Sequence, residues 1–218
     1  MTEAEWLKCE DIEEMLECLV ALQFPDAEPC NWGKGERKKR LFIAACIRRI
    51  WSSIPTEYKL VIEQIELDTD GGSVVDEMRA NAWSVAEGVT WQHSRLLFSI
   101  SYDDISSICY ISSKIASEAR TNTKEASRDS EDRVQAVLLR DIFGNPFRPV
   151  AFVAAWRTDT ALSLARHMYE SRDFSAMPIL ADALQDAGCD HDDMLNHCRG
   201  EGPHVRGCWV VDLVLGKE

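Results

Sequence analysis

Cysteine and histidine side chains are concentrated near the end of the chain. Three of the five histidines and three of the eight cysteines fall in one short segment: Cys189, His191, His197, Cys198, His204 and Cys208. Thiolate and imidazole are ligands that zinc takes in tetrahedral sites. The glycines between them let the chain turn tightly, as a ligand loop must. If a metal binds here, we expect a zinc ion held by Cys189, His197, His204 and Cys208.

The same segment has a second interpretation, in which no metal binds. The spacing is irregular and contains no Cys-x-x-Cys pair. His197 and Cys198 are adjacent, so on a helix their side chains point about 100° apart and cannot both face one ion. Buried cysteines also pack as small apolar residues, and histidines hydrogen-bond nearby loops. The sequence leaves both interpretations open.

The same cysteines and histidines are compatible with one catalytic role. A metal-dependent hydrolase would use the Cys/His segment with a carboxylate such as Asp182, Asp190 or Asp212, and would keep one zinc position open for water. The chain has no Gly-x-Ser-x-Gly elbow and no phosphate-binding glycine loop with lysine. We therefore assign no catalytic residue and expect a non-catalytic interaction or regulatory protein, with the hydrolase as the alternative.

An acidic, glycine-containing segment resembles part of a calcium loop. Counted from Glu66, its members take the first, third, fifth, sixth and twelfth positions: Glu66, Asp68, Asp70, Gly71 and Glu77. The first ligand is Glu instead of Asp, and a serine stands where such loops place an aliphatic residue. A turn with acidic helix caps accounts for the same residues, so we do not predict calcium.

The charge balance restricts the partners. The formal net charge is −13 and the pI is about 4.8, a field that repels phosphate backbones. The basic run Arg37–Arg40 precedes an apolar helical pattern and is interpreted as a solvated first turn. No apolar stretch approaches the ~18 residues of a membrane span, and the acidic start is not a secretory signal. We expect a cytoplasmic protein that binds neither nucleic acid nor membrane.

Apolar residues recur at helical spacing along most of the chain. The pattern predicts helices over 36–53, 160–171, 177–187 and 192–198, and a buried apolar end over 208–215 that is helix or strand. A strand between 98 and 115 stays possible. We predict a mostly α protein whose two helical halves, 1–118 and 134–218, share a core and are joined by a polar linker or solvated helix over 119–133.

Several long motifs resemble an uncharacterised, paralogue-rich family of bacterial proteins. They are the TEAEWL motif at 2–7, the RLF…RRIW helix at 40–51, the LLRDIFGNPFRP motif at 138–149 and the HCR…HVRGCW motif at 197–209. The resemblance implies that both halves recur together as one unit. It implies no activity and no catalytic residue.

The expected partner is another protein. Trp32 lies in a loop beside Gly33, where an exposed aromatic side chain would anchor an interface, although burial explains it as well. The apolar end Cys208–Leu215 offers a further option, because in a subunit of a larger assembly it would dock on a partner instead of its own core.

Overall fold

The computed structural model of the protein describes residues 1–23, 36–54, 56, 59, 62, 63, 66 and 128–217. This described part contains eight α-helices and no β-strand, which confirms the mostly α prediction. Contacts divide the chain into two compact units, Met1–Ala136 and Val137–Glu218. The predicted shared core and the bounds 1–118, 119–133 and 134–218 stay predictions.

The first unit begins with two helices that the sequence caps. In helix α1 (Glu3–Trp6), Glu5 N–H donates to Thr2 Oγ1 and Thr2 N–H donates to Glu5 Oε2, so two otherwise unpaired backbone donors are satisfied. Helix α2 (Ile12–Gln23) follows, and it buries one apolar stripe: Ile12, Met15, Leu16 and Leu19.

Helix α3 (Glu36–Arg48) carries the basic run in its first turn. Lys39 is only 3% exposed, so the interpretation of the whole run as solvated is wrong for this residue. The helix otherwise buries an apolar face, with Leu41, Phe42 and Ile43 almost inaccessible. The short 3₁₀ helix Trp51–Ser53 comes after it.

Two paired carboxylates lie inside the first unit. Arg48 holds Glu66 through two hydrogen bonds of 2.6 Å, and Arg49 holds Glu131 at 2.6 and 3.1 Å. Both carboxylates are nearly inaccessible to solvent. Glu66, the first position of the calcium-like segment, is therefore bound to a guanidinium group. Asp68, Asp70, Gly71 and Glu77 lie outside the described residues, as do Trp32 and the possible strand at 98–115.

The second unit contains the end of helix α4 (Arg128–Phe143) and four further helices. These are α5 (Asp159–Ser171), α6 (Met177–Asp186), α7 (Asp192–Arg199) and α8 (Trp209–Leu215). The predicted bounds agree to within one residue. Helix α5 packs against α6 and α8, and α7 packs against α6 and α8, so the four helices enclose one core.

The last helix confirms the prediction for the apolar end. Val210, Val211 and Val214 are fully buried, and Gly216 ends α8 in the left-handed region at φ 69°, a conformation that glycine adopts without strain. Arg157 completes the helix end, because Nε donates to Val214 O at 2.8 Å and Nη2 donates to Leu213 O at 2.9 Å. None of the described helices has the length and apolar character needed to cross a bilayer.

Candidate metal centre

Four side chains of the second unit converge on one place. Asp141 lies near the end of α4, His197 lies on α7, and His204 and Cys208 lie on the connection from α7 to α8. Each offers one potential ligand atom, and the four atoms lie within 4.8 Å of one another. No other group of this kind occurs among the residues that the structure describes.

Three short distances link the four atoms. Asp141 Oδ1 lies 3.0 Å from His197 Nε2 and 2.9 Å from His204 Nδ1. His197 Nε2 also lies 3.2 Å from Cys208 Sγ. Ligand atoms bound to one tetrahedral zinc are separated by about 3.3–3.6 Å, as the usual Zn–N and Zn–S bond lengths require. Small movements would place these atoms at that spacing.

Burial closes the centre from solvent. The Asp141 side chain is 2% exposed and His204 is 8% exposed, while Cys208 is fully buried. His197 is the most accessible member at 20%, and the ring of Trp209 packs beside it with ring centroids 5.2 Å apart. The centre is thus a buried polar cluster and not an open cleft.

Backbone groups fix the orientation of two members. Val205 N–H donates to Asp141 Oδ2 at 2.9 Å, which leaves Oδ1 facing the histidines. His204 Nε2 lies 3.4 Å from Gly200 O, so an Nε2–H that donates to this carbonyl leaves Nδ1 facing Asp141, where it donates a hydrogen bond when protonated and would offer a lone pair to a bound cation. Metal-binding histidines usually donate their second ring N–H to a carbonyl or carboxylate in this way.

The carboxylate and imidazole of the pair Asp141–His204 shift each other's pKa. Burial acts to raise the pKa of Asp141, but hydrogen bonds from His197 and His204 hold it below its usual value. Burial acts to lower the pKa of His204, whereas its bond to Asp141 raises it above the usual value. Asp141 is therefore a carboxylate, the form that binds a cation.

The surroundings of the Cys208 sulfur act in opposite directions on the pKa of its thiol. Burial and the charge of Asp141 raise the pKa of the thiol well above its usual value, and the nearby backbone N–H groups of Val211 and Val210 act more weakly to lower it. The sulfur is therefore a neutral thiol unless a positive charge lies close to it. A bound cation would supply the positive charge that the thiolate needs here.

The two contacts of His197 Nε2 also favour a cation. His197 Nε2 carries either a proton or a lone pair, yet it faces both the Asp141 carboxylate and the Cys208 sulfur. Without a metal, one of these two contacts lacks a well-formed hydrogen bond. With a metal, carboxylate, imidazole and thiolate all direct lone pairs at the same ion.

The structure brings together three of the four residues that the sequence predicted as ligands. His197, His204 and Cys208 meet, and Asp141 joins them. Cys189 lies outside this group, in the apolar core, and is 2% exposed. Cys198 is also in the core, where burial raises the pKa of its thiol to about 12, in agreement with the expectation that His197 and Cys198 cannot face one ion. His191 precedes α7 and is not a member.

The carboxylates proposed for a hydrolase do not reach the centre. Asp182 and Asp190 are exposed, and Asp182 pairs with Arg199 at 3.2 Å. Asp212 is buried on α8 but is not one of the grouped residues. Sequence reasoning missed Asp141, although one signal was present: a charged residue within the apolar run Leu138–Phe143 has to be paired if it is buried.

In comparisons with known proteins, the chain matches no protein-family model, no curated protein and no solved structure. The resemblance to a bacterial family therefore stays a prediction.

Proposed function

We propose that the protein is a non-catalytic interaction or regulatory protein whose second unit is stabilised by a zinc ion bound to Asp141, His197, His204 and Cys208. The supporting observation is the convergence of four ligand atoms within 4.8 Å in a buried centre. A structural zinc site is one whose coordination is completed by the protein. A four-residue donor set that is closed to solvent suits that role.

The elements that supply the donors explain what the ion would do. Asp141 comes from α4, His197 from α7, and Cys208 immediately precedes α8. One ion would therefore hold two helices and a helix start together, in a unit of only about 80 residues, where a small core benefits from a metal cross-link. The contribution of such ions to folding is large.

One feature of the donor set favours the alternative, a metal-dependent hydrolase. Structural sites are usually rich in cysteine, whereas carboxylate and imidazole donors are common in catalytic ones. If Asp141 left the ion, three protein ligands and an open position for water would remain. The number of protein ligands bound to the ion separates the two roles.

Elemental analysis of protein purified without a metal-chelating tag tests the proposal. We expect close to one zinc per chain, lost in the double variant His204→Ala, Cys208→Ala. The matched control is His191→Ala, Cys189→Ala, which removes the same two residue types from the same segment and should retain zinc. Absence of zinc from the wild-type chain, or its loss only from the control, would contradict the proposed ligands.

Cobalt substitution of the wild-type chain provides a test that does not depend on the folding of any variant. A thiolate bound to Co²⁺ produces a charge-transfer absorption band, and tetrahedral coordination gives intense visible bands. X-ray absorption on the zinc form then counts the ligands. Four protein ligands support the structural role, whereas three plus one water oxygen would favour the hydrolase.

The wider role and the compartment belong to the same proposal. An acidic helical protein with reduced cysteines suits the cytoplasm, where thiols are kept reduced and available to zinc. We expect a protein partner, and no binding of nucleic acid, because the net charge of −13 repels it.

A further inference from the structure

A groove runs between α1 and α2 in the first unit. It has a volume of about 890 Å³, within the range of about 300–1,000 Å³ that binding pockets occupy. Residues at helical spacing form its two sides: Met1, Ala4, Glu5, Lys8 and Cys9 on the α1 side, and Glu14, Glu17, Cys18 and Ala21 on α2.

The side chains of this groove leave it open and partly apolar. Ala4 and Ala21 are too small to fill the space between the helices, and Cys9 and Cys18 are only partly covered. Met1, the large apolar residue of its lining, is 41% exposed. Exposed apolar side chains within a groove are a mark of an interaction site.

The charge of the groove selects the kind of partner. Three of its charged residues are glutamates, Glu5, Glu14 and Glu17, and one is a lysine, Lys8. Further acidic residues lie on the same two helices and in the turn between them, where Glu10 pairs with Arg133 and Asp11 accepts from the first N–H groups of α2: Glu3, Glu10, Asp11 and Glu13. Lys8 is the one basic side chain of residues 1–23. An acidic rim around an apolar floor is complementary to a basic segment with an apolar face.

We propose that the α1–α2 groove binds a basic amphipathic helix of a protein partner. The apolar face of that helix packs on Ala4, Ala21 and the thiols, while its lysines or arginines pair with Glu14 and Glu17. Such helix-in-groove docking uses apolar anchors at three- and four-residue spacing. The inference rests on the interaction role proposed above, because it names the class of partner.

The test uses the full chain and a defined probe. The probe is a 15-residue peptide of leucine and lysine with leucines at helical spacing, labelled for fluorescence anisotropy, and its counterpart has glutamate in place of lysine. We expect saturable binding of the basic peptide and none of the acidic one. Equal binding of both peptides, or no saturable binding, would overturn the proposal.

Matched variants separate the groove from the overall acidity of the chain. Glu14→Lys with Glu17→Lys should weaken peptide binding at least about tenfold, and Ala21→Trp should weaken it by filling the groove. The control pair Glu170→Lys with Asp186→Lys changes the net charge equally at exposed positions of the second unit. A loss of affinity in the control equal to that in the groove pair would contradict a specific site.

The groove thiols give a local readout of occupancy. Alkylation of Cys9 and Cys18 by iodoacetamide, followed by mass spectrometry, should slow when the basic peptide is bound, while buried Cys46 serves as an internal reference. Unchanged rates with bound peptide would place the peptide elsewhere and overturn the proposal. Zinc content is measured on the same samples. A chain that holds zinc but binds no peptide would disprove the groove proposal and leave the zinc proposal unaffected.

Discussion

Asp141 is the residue on which the chemistry of the second unit depends. An isolated carboxylate is costly to bury, and this one is offset by two histidines and by the Val205 N–H. With an ion bound, the Val205 N–H would still orient the carboxylate, and the ion would take the place of the contacts with the two histidines. Replacement of this residue therefore tests whether the carboxylate binds an ion or only joins the surrounding hydrogen bonds.

We expect Asp141→Asn to weaken zinc binding by at least about 100-fold, because even outer partners of metal ligands contribute 10–100-fold. Asparagine keeps the size and can still accept from Val205 N–H, but it loses the negative charge. Competition with a chromophoric chelator measures the affinity. Cys198→Ala, which removes a buried thiol outside the group, is the control; an unchanged affinity in Asp141→Asn would show that the carboxylate is not a ligand.

Gly144 is a second residue whose position in the structure requires glycine. It follows α4 at φ 71°, and a Cβ there would lie 3.2 Å from Trp209 Cγ. We expect Gly144→Ala to lower the free energy of unfolding by more than the roughly 1–2 kcal/mol that a left-handed conformation costs an L-residue. Gly188→Ala isolates the backbone cost, since Gly188 has φ 86° and open space around it. Urea unfolding that gives equal losses for both would exclude a role for the Trp209 contact.

At the scale of helices, local sequence signals account for many of the positions where helices of the second unit begin and end. Thr158 caps α5 by accepting from Ala161 N–H, and Gly216 ends α8, so the helix bounds follow from nearby residues. The meeting of α4 with the connection before α8 could not be predicted, because it depends on how helices distant in sequence pack. For this reason the sequence indicates the three clustered side chains that lie within one segment and does not indicate Asp141.

The end of α8 depends on a side chain from outside the helix. Arg157 donates to two terminal carbonyls and packs over the Phe152 ring at 5.0 Å. We expect Arg157→Gln to lower the free energy of unfolding by about 1–2 kcal/mol, since hydrogen bonds from a charged donor are lost. The control is Arg166→Gln at an exposed position of α5. Chemical denaturation compares the two, and an equal loss would show that the cap contributes nothing.

At the scale of the whole molecule, metal removal should be visible as lost stability. A ligand that binds only the folded state stabilises it by about 4 kcal/mol when its free concentration is 1,000 times the dissociation constant. We expect a strong chelator to lower the midpoint of thermal unfolding, and added Zn²⁺ but not Mg²⁺ to restore it, because thiolate and imidazole ligands disfavour Mg²⁺. A midpoint that does not respond to chelator would contradict a structural ion.

The order of the ligands along the chain also has a topological consequence. Asp141 precedes α5 and α6, whereas His197 follows them, so an ion bound to both closes a loop of roughly 55 residues and removes about 4 kcal/mol of conformational entropy from any opened state that keeps the ion. Helices that contribute no ligand would thereby be restrained. Amide hydrogen exchange in α5 and α6 should slow when zinc is added, even though the ion touches neither helix.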